Sequence, residues 1–326
     1  MKRKASFFAA GALAALFLAW LVARPAESRA RDDAIPLRIS HFRPSIPATM
    51  QKARGSLERN LAQRGVAVQW NEFKATTDSI LALSSGAIDL SVGGIEGGVA
   101  AIASGVPLRL VATGPHRAPK TGWYTALLVR ENSSIRSLAD LRGKKVGVGR
   151  GGFSEAILAL AVQKGGYRYP QDIEPVYLST ADSTNAFTSG LVEAILTLDP
   201  YVPSIQREVP TRILTDNEQL GYPTIWAVWV HETFAREHPD VLGAVSREFL
   251  AVGPWIATHR SEAAASLAAV VGFDQRLWET TLGRASYELE PIGPETLRDI
   301  QYVADQLLAL GVIKQPVDVA THTWRP

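Results

Sequence analysis

Five consecutive residues, Arg150-Gly151-Gly152-Phe153-Ser154, have the composition of a loop that holds an anion. The glycines let backbone N–H groups come close to a charged oxygen, and Ser154 adds a hydroxyl where a helix is expected to begin. A helix N-terminus carries about half a positive charge on unpaired N–H groups, so a sulfonate or carboxylate can be seated there without a buried lysine. The same residues suit an ordinary strand-to-helix turn, and only their place in the fold decides between the two uses. Other loops offer matching chemistry. His41, Phe42, Arg43 and Ser45 follow the first predicted strand, Lys74, Thr76 and Thr77 the second, Gly93, Gly94 and Glu96 the third, and His116 and Arg117 the fourth. Asp199 and Tyr201 come late in the pattern. His41 and Arg43 are either donors for an anion or simply exposed loop residues. Thr76 and Thr77 are N-cap candidates first.

Glu96 and Asp199 carry the wrong sign for an anion pocket. Asp199 before Pro200 reads as an N-cap with proline at the first helical position, and Glu96 suits the positive end of the next helix. The sharper alternative is that one of them receives an ammonium, which would make the ligand a zwitterion. Trp123, Tyr222 and Trp226 could line the apolar part of a pocket, although core or hinge packing suits Trp226 and Trp229 better. Metal and covalent chemistry are poorly supplied. The chain has no cysteine, and its six histidines include no pair at helical i, i+4 spacing. No nucleophile elbow, phosphate loop or zinc-protease motif is present, so no catalytic residue, metal or cofactor is expected.

These loops can converge only if strands and helices alternate, and from Leu37 onward they do. Strands are predicted at Leu37 to Ser40, Val66 to Glu72, Ile88 to Val92, Leu108 to Ala112, Lys145 to Val148, Ile173 to Leu178, Glu193 to Thr197 and Thr211 to Leu214. Helices are predicted at Pro47 to Gln63, Thr77 to Ser84 and Ser154 to Gln163, each stopped by glycine. The alternation makes this an α/β chain of mostly parallel sheets covered by helices. In such sheets ligands bind beyond the carboxyl ends of the strands, which is the rule that selects the loops above. After residue 230 the pattern is almost continuous helix. Two extended apolar runs, Trp123 to Val129 and Thr224 to Val230, bracket about ninety residues, near the lower end of typical domain sizes. They read as hinge strands, over 123–130 and 220–230, between a lobe of residues 31–125 with 222–326 and a lobe of residues 131–219.

The N-terminus reads as a secretory signal. Lys2, Arg3 and Lys4 precede an uncharged apolar stretch from Phe7 to Ala23, and Ser28-Arg29-Ala30 provides small residues for cleavage after Ala30. At 17 residues the apolar stretch is at the short limit of the roughly 17–25 that span a bilayer. Residues 1–30 hold five basic groups and one acidic one, so the formal charge of +2 becomes −2 for the remainder. A near-neutral chain gives no footprint for nucleic acid.

Ser137-Leu138-Ala139-Asp140-Leu141-Arg142-Gly143-Lys144-Lys145-Val146-Gly147-Val148 resembles the segment that opens the second lobe of many periplasmic solute-binding proteins. Further pieces line up in order: Gly55-Ser56-Leu57-Glu58-Arg59-Asn60-Leu61, Ser85-Gly86-Ala87-Ile88-Asp89-Leu90, Gly105-Val106-Pro107-Leu108, Asp199-Pro200-Tyr201, and Leu310-Gly311-Val312-Ile313. Together they resemble the aliphatic sulfonate, taurine and nitrate binding family, and favour its sulfonate branch. The resemblance implies a two-lobed type II periplasmic binding fold, each lobe a mostly parallel sheet with helices on both faces, joined by two hinge strands. It implies a monomer that traps a small anionic or zwitterionic ligand, leaves it unaltered, and hands it to an ABC permease in the inner membrane. An enzyme or sensor on the same fold, acting on a pyrimidine precursor or carboxylate, is the rival. The pocket segments depart from the family. Gly93-Gly94-Ile95-Glu96-Gly97-Gly98 displaces the usual carboxylate by one position, Leu198 replaces the common tryptophan before Asp-Pro, and the usual Lys-Gly-Ser-Asn turn reads Arg150 to Ser154.

Overall fold

The computed structural model describes residues 34–43, 45–114 and 124–325. The expected signal over 1–30, with its cleavage after Ala30, and the candidates His116, Arg117 and Trp123 lie outside the described residues. The first elements are β1 (Ile35–His41), α1 (Ile46–Arg54), α2 (Ser56–Ala62), β2 (Val66–Glu72), α3 (Thr76–Ser84), β3 (Leu90–Gly94), α4 (Ile95–Ala103) and β4 (Leu108–Gly114). Next come β5 (Thr125–Arg130), β6 (Lys145–Val148), α5 (Phe153–Lys164), β7 (Glu174–Tyr177), α6 (Thr180–Thr188), β8 (Ala194–Leu198), α7 (Tyr201–Glu208) and β9 (Thr211–Asp216). The rest is α8 (Asn217–Leu220), β10 (Trp226–His231), α9 (Glu232–Glu237), α10 (Pro239–Leu250), α11 (Val252–Thr258), α12 (Arg260–Val271), α13 (Gln275–Arg284) and α14 (Pro294–Ala309).

The strands form two five-stranded sheets, in the orders β2-β1-β3-β10-β4 and β7-β6-β8-β5-β9. In the first, β1 runs parallel to β2 and β3, while β10 lies antiparallel between β3 and β4. The second repeats the plan, with β6 parallel to β7 and β8 and β5 antiparallel between β8 and β9. Each extended run read as a hinge strand is thus also the antiparallel member of one sheet. Both are apolar without alternation because helices cover both faces, and all but the last residue of each is buried. The chain passes between sheets twice, before β5 and before β10. It is a two-lobed α/β fold.

Several elements differ from their predicted limits for local reasons. The helix expected over 47–63 is two helices, because Gly55 takes φ 60° and its N–H turns back to Gln51 O. The third strand begins at Leu90, since Ala87 and Ile88 N–H close the end of α3 by donating to Ala82 O. The four residues Leu138–Leu141 form a 3₁₀ turn whose ends are closed by reciprocal bonds between Ser137 and Asp140, and Gly143 follows at φ 68°. The C-terminal helices pack on the first lobe. Beyond them the chain returns to β4, where Trp324 N–H donates to Leu110 O at 2.8 Å.

Candidate functional site

A cleft of about 330 Å³ lies between the two sheets' carboxyl ends. From the first lobe it is lined by Phe42, Lys74, Thr76, Thr77, Asp78 and Gly94, and from the second by Arg150, Gly151, Gly152, Phe153 and Ser154. Four helices start at it: α3 at Thr76, α4 after Gly94, α5 after Gly152 and α6 after Ser179. Each directs the positive end of its dipole at the same volume, although the first N–H of α4 is already taken by Ile225 O at 3.0 Å. Lys74 and Arg150 add full charges from opposite lobes; both are exposed, and neither has an ion pair among the described residues. The Arg150 guanidinium lies 4.2 Å from the centre of the Tyr177 ring. Phe42, Phe153, Tyr177, Leu178 and Leu198 supply apolar wall. The arrangement holds a small anion with a short apolar portion.

The lobes meet across the cleft. A Cβ at Gly151 would stand 2.7 Å from Thr77 Cγ2, and one at Gly94 would stand 3.5 Å from Phe153 Cδ1. The Gly151 loop is tied from behind by Glu155, which accepts from Gly151 N–H at 2.5 Å, Tyr177 O–H at 2.7 Å and Tyr169 O–H at 2.8 Å. This corrects one expectation: the Gly151 amide is held by the protein's own carboxylate. What remains for an anion in this loop is the start of α5 itself.

Of the residues named from sequence, Phe42, Thr76, Thr77, Gly94, Gly152, Phe153 and Ser154 come together at the cleft, along with Lys74 and Gly151. Others do not. His41 is buried; Thr49 Oγ1 donates to Arg43 O, so it accepts from His41 Nε2–H at 3.1 Å. Desolvation holds its pKa down at about 4, so the ring is neutral. Arg43 points outward to Glu72 at 2.8 Å. Gly93 is buried behind the cleft, its Cα facing the Thr76 methyl. Thr76 and Thr77 are not N-caps; Ala75 takes that place, and the threonines are the first two helical residues.

Asp199 is likewise not an N-cap. α7 begins at Tyr201 after Pro200, with no side-chain cap, because Asp199 turns inward to the first lobe and meets Arg284 Nη1 at 3.4 Å. Burial pushes its pKa up to about 6. Tyr201 packs edge-on against Phe273 at 5.1 Å, away from the cleft wall. Glu96 and Tyr222 are both buried, and Tyr222 O–H donates to Glu96 Oε1 at 3.1 Å. Trp226 and Trp229 are core residues.

Ser179, Thr180, Tyr177 and Leu178 line the cleft but were absent from the sequence candidates. They follow β7, so the strand-end rule reaches them too. The signal was Ser179-Thr180-Ala181-Asp182: Ser179 Oγ caps α6 by accepting from Asp182 N–H at 3.2 Å.

Burial raises the Glu96 pKa to about 7. An unfolded glutamate ionises near 4.5, so between about pH 4.5 and 7 the native state holds a proton that the unfolded chain has released. Glu96 therefore contributes stability that declines as pH rises through this window. His41, with its lowered pKa, acts in the opposite sense below about pH 6.5. We predict that Glu96→Gln gains stability relative to the parent as pH rises from 5 to 8. Urea denaturation at the two pH values tests this, and parallel losses for both proteins would refute it.

Two lobes closing on a positively polarised cleft define the class: a two-lobed binding fold for a small anion. The chain belongs to the NMT1/THI5-like family, whose model matches residues 61–250. It is 28% identical over 291 residues to a putative aliphatic sulfonates-binding protein of Escherichia coli K12, covering 89% of each chain. It is 26% identical over 231 residues to the taurine-binding periplasmic protein of the same organism, covering 69% of this chain and 68% of that one. The solved structure of the alkanesulfonate-binding protein from Xanthomonas axonopodis pv. citri, bound to MOPS, superposes with a TM-score of 0.80 at 26% identity, over 90% of this chain and 99% of that one.

Proposed function

We propose that this protein is the extracytoplasmic substrate-binding component of an ABC importer and captures an aliphatic or amino-substituted sulfonate between its lobes. The observation that carries the reading is the convergence of four helix N-termini, Lys74 and Arg150 on one cleft between two α/β lobes. The names of the relatives support it. Residues 1–30 would direct export, with cleavage after Ala30, and the lobes would divide as residues 31–114 with 222–325 and residues 124–221, which keeps α8 and places β5 wholly in the second. Binding closes the lobes, buries the ligand and presents both lobes to an inner-membrane permease. The ligand leaves unchanged on this reading, and covalent catalysis through a cysteine is closed to a chain that has none.

Calorimetry with short alkanesulfonates, nitrate and carboxylates of matched length tests the reading. Sulfonates should bind with a negative heat-capacity change, from burial of the alkyl chain. Arg150→Ala should weaken binding about threefold at low salt, and the deficit should shrink as ionic strength screens the exposed charge. Turnover of the sulfonate, or no binding of any anion, would overturn the proposal.

A further inference from the structure

Glu96 is 1% exposed, yet only one of its carboxyl oxygens is satisfied by another side chain. Tyr222 serves Oε1, while Oε2 is buried with no hydrogen-bond partner. A buried carboxylate without a counter-charge is costly, and such groups are ordinarily paired. No basic side chain of the described residues is among the groups acting on it; its environment consists of burial, its own backbone N–H and Tyr222. Among the described residues, then, nothing pairs with it.

The direction of Oε2 says where that partner would come from. Gly94 lines the cleft, and a Cβ built on it would lie 2.7 Å from Glu96 Oε2 and 3.5 Å from Phe153 Cδ1 of the opposite lobe. Oε2 thus stands immediately behind the cleft wall, at the point where glycine leaves the side-chain position open and a second-lobe aromatic closes over it. Both groups that bond the carboxyl are donors, as suits an ionised oxygen pair. Tyr222 sits on the crossing before β10, so the carboxyl is also braced by the segment that joins the lobes.

We propose that Glu96 is a specificity-determining residue whose Oε2 receives the ammonium group of a zwitterionic sulfonate held in the interlobe cleft. This rests on the sulfonate reading above and narrows it to ligands with an amine a short chain away from the sulfonate. The amine would supply a counter-charge that no described residue provides, approaching past Gly94, where the Phe153 ring now stands. A carboxyl held near pH 7 is partly protonated in the free protein, so the incoming cation must drive its proton off.

The test compares 2-aminoethanesulfonate with propane-1-sulfonate, which differ by an ammonium in place of a methyl. Titration calorimetry at pH 7 in two buffers of different ionisation enthalpy reads both affinity and protons exchanged. We expect the parent protein to bind the amine at least tenfold more tightly and to release a fraction of a proton on doing so, with no release for propane-1-sulfonate. Glu96→Gln should lose the preference and the proton release while retaining propane-1-sulfonate. If that variant does not fold, the proton release by the parent decides alone. Equal affinity of the parent for the two ligands, or amine binding without proton release, would overturn the proposal and leave the sulfonate reading standing. Failure of both ligands to bind would overturn both.

Discussion

Gly151→Ala should fold and yet bind its ligand about a hundredfold more weakly, a loss of about 2.7 kcal/mol assigned to closure. Gly151 has φ +63°, so alanine there carries left-handed strain of roughly 1–2 kcal/mol whether the lobes are open or shut. The new methyl matters only when they shut, because it would lie 2.7 Å from Thr77 Cγ2 of the facing lobe. Threonine is stiff at χ1 and cannot swing its methyl aside cheaply. The lobes must therefore stop short, and the ligand loses contacts from one wall. Gly152 is no control for this, because it has φ 79° and ψ −166°, a conformation essentially reserved for glycine, and it opens α5 at the cleft. Thr77→Ser removes the obstructing methyl and keeps the hydroxyl, so the Gly151→Ala/Thr77→Ser double variant should recover most of the binding. A double variant that binds no better than Gly151→Ala, measured by calorimetry, would show that the contact does not limit closure.

The α/β class and the strand-end loops were legible because both follow from local pattern: β-branched runs, glycine stops and the rule that ligands sit past carboxyl ends. That rule placed Thr76, Thr77, Gly94 and the Gly152-to-Ser154 segment at the cleft. It failed for residues whose environment is set by distant parts of the chain. Asp199 looks like an N-cap from its neighbour Pro200, but its fate is decided by Arg284, 85 positions away. Arg43 looks like an anion ligand until Glu72 comes alongside on the adjacent strand. His41 stands beside Phe42 in sequence, yet only Phe42 reaches the cleft; His41 is covered by α1, through Thr49. The Glu155 brace was invisible for the same reason, because Tyr169 and Tyr177 reach it only once β7 pairs with β6. Sequence thus located the loops that build the cleft and could not say which of their side chains had already been claimed.

The largest loss of stability is expected at a glycine that helix propensity alone would replace. Gly98 lies inside α4, and its φ is not in the left-handed region, so alanine should favour the helix by about 1 kcal/mol. The position is decided by Trp229 instead. A Cβ on Gly98 would stand 2.0 Å from Trp229 Cε2 and 2.3 Å from Nε1, well inside van der Waals contact. Trp229 is fully buried in the interior strand β10, which is clamped between β3 and β4, so the indole has nowhere to retreat without moving the sheet. Overpacking of this kind costs about 3 kcal/mol or more, which exceeds the propensity gain and gives a net loss of at least about 2 kcal/mol. The displacement would also be felt at the cleft, because Gly94 and Gly97 of the same strand-to-helix corner line it. Urea denaturation of Gly98→Ala should show a lowered midpoint with an unchanged slope. Trp229→Phe alone should destabilise by opening a void, whereas joined to Gly98→Ala the smaller ring makes room for the methyl. The double variant should therefore lose less than the sum of the singles, a coupling expected only of residues in direct contact. Additive losses would mean that Gly98 is required for something other than the space the indole occupies.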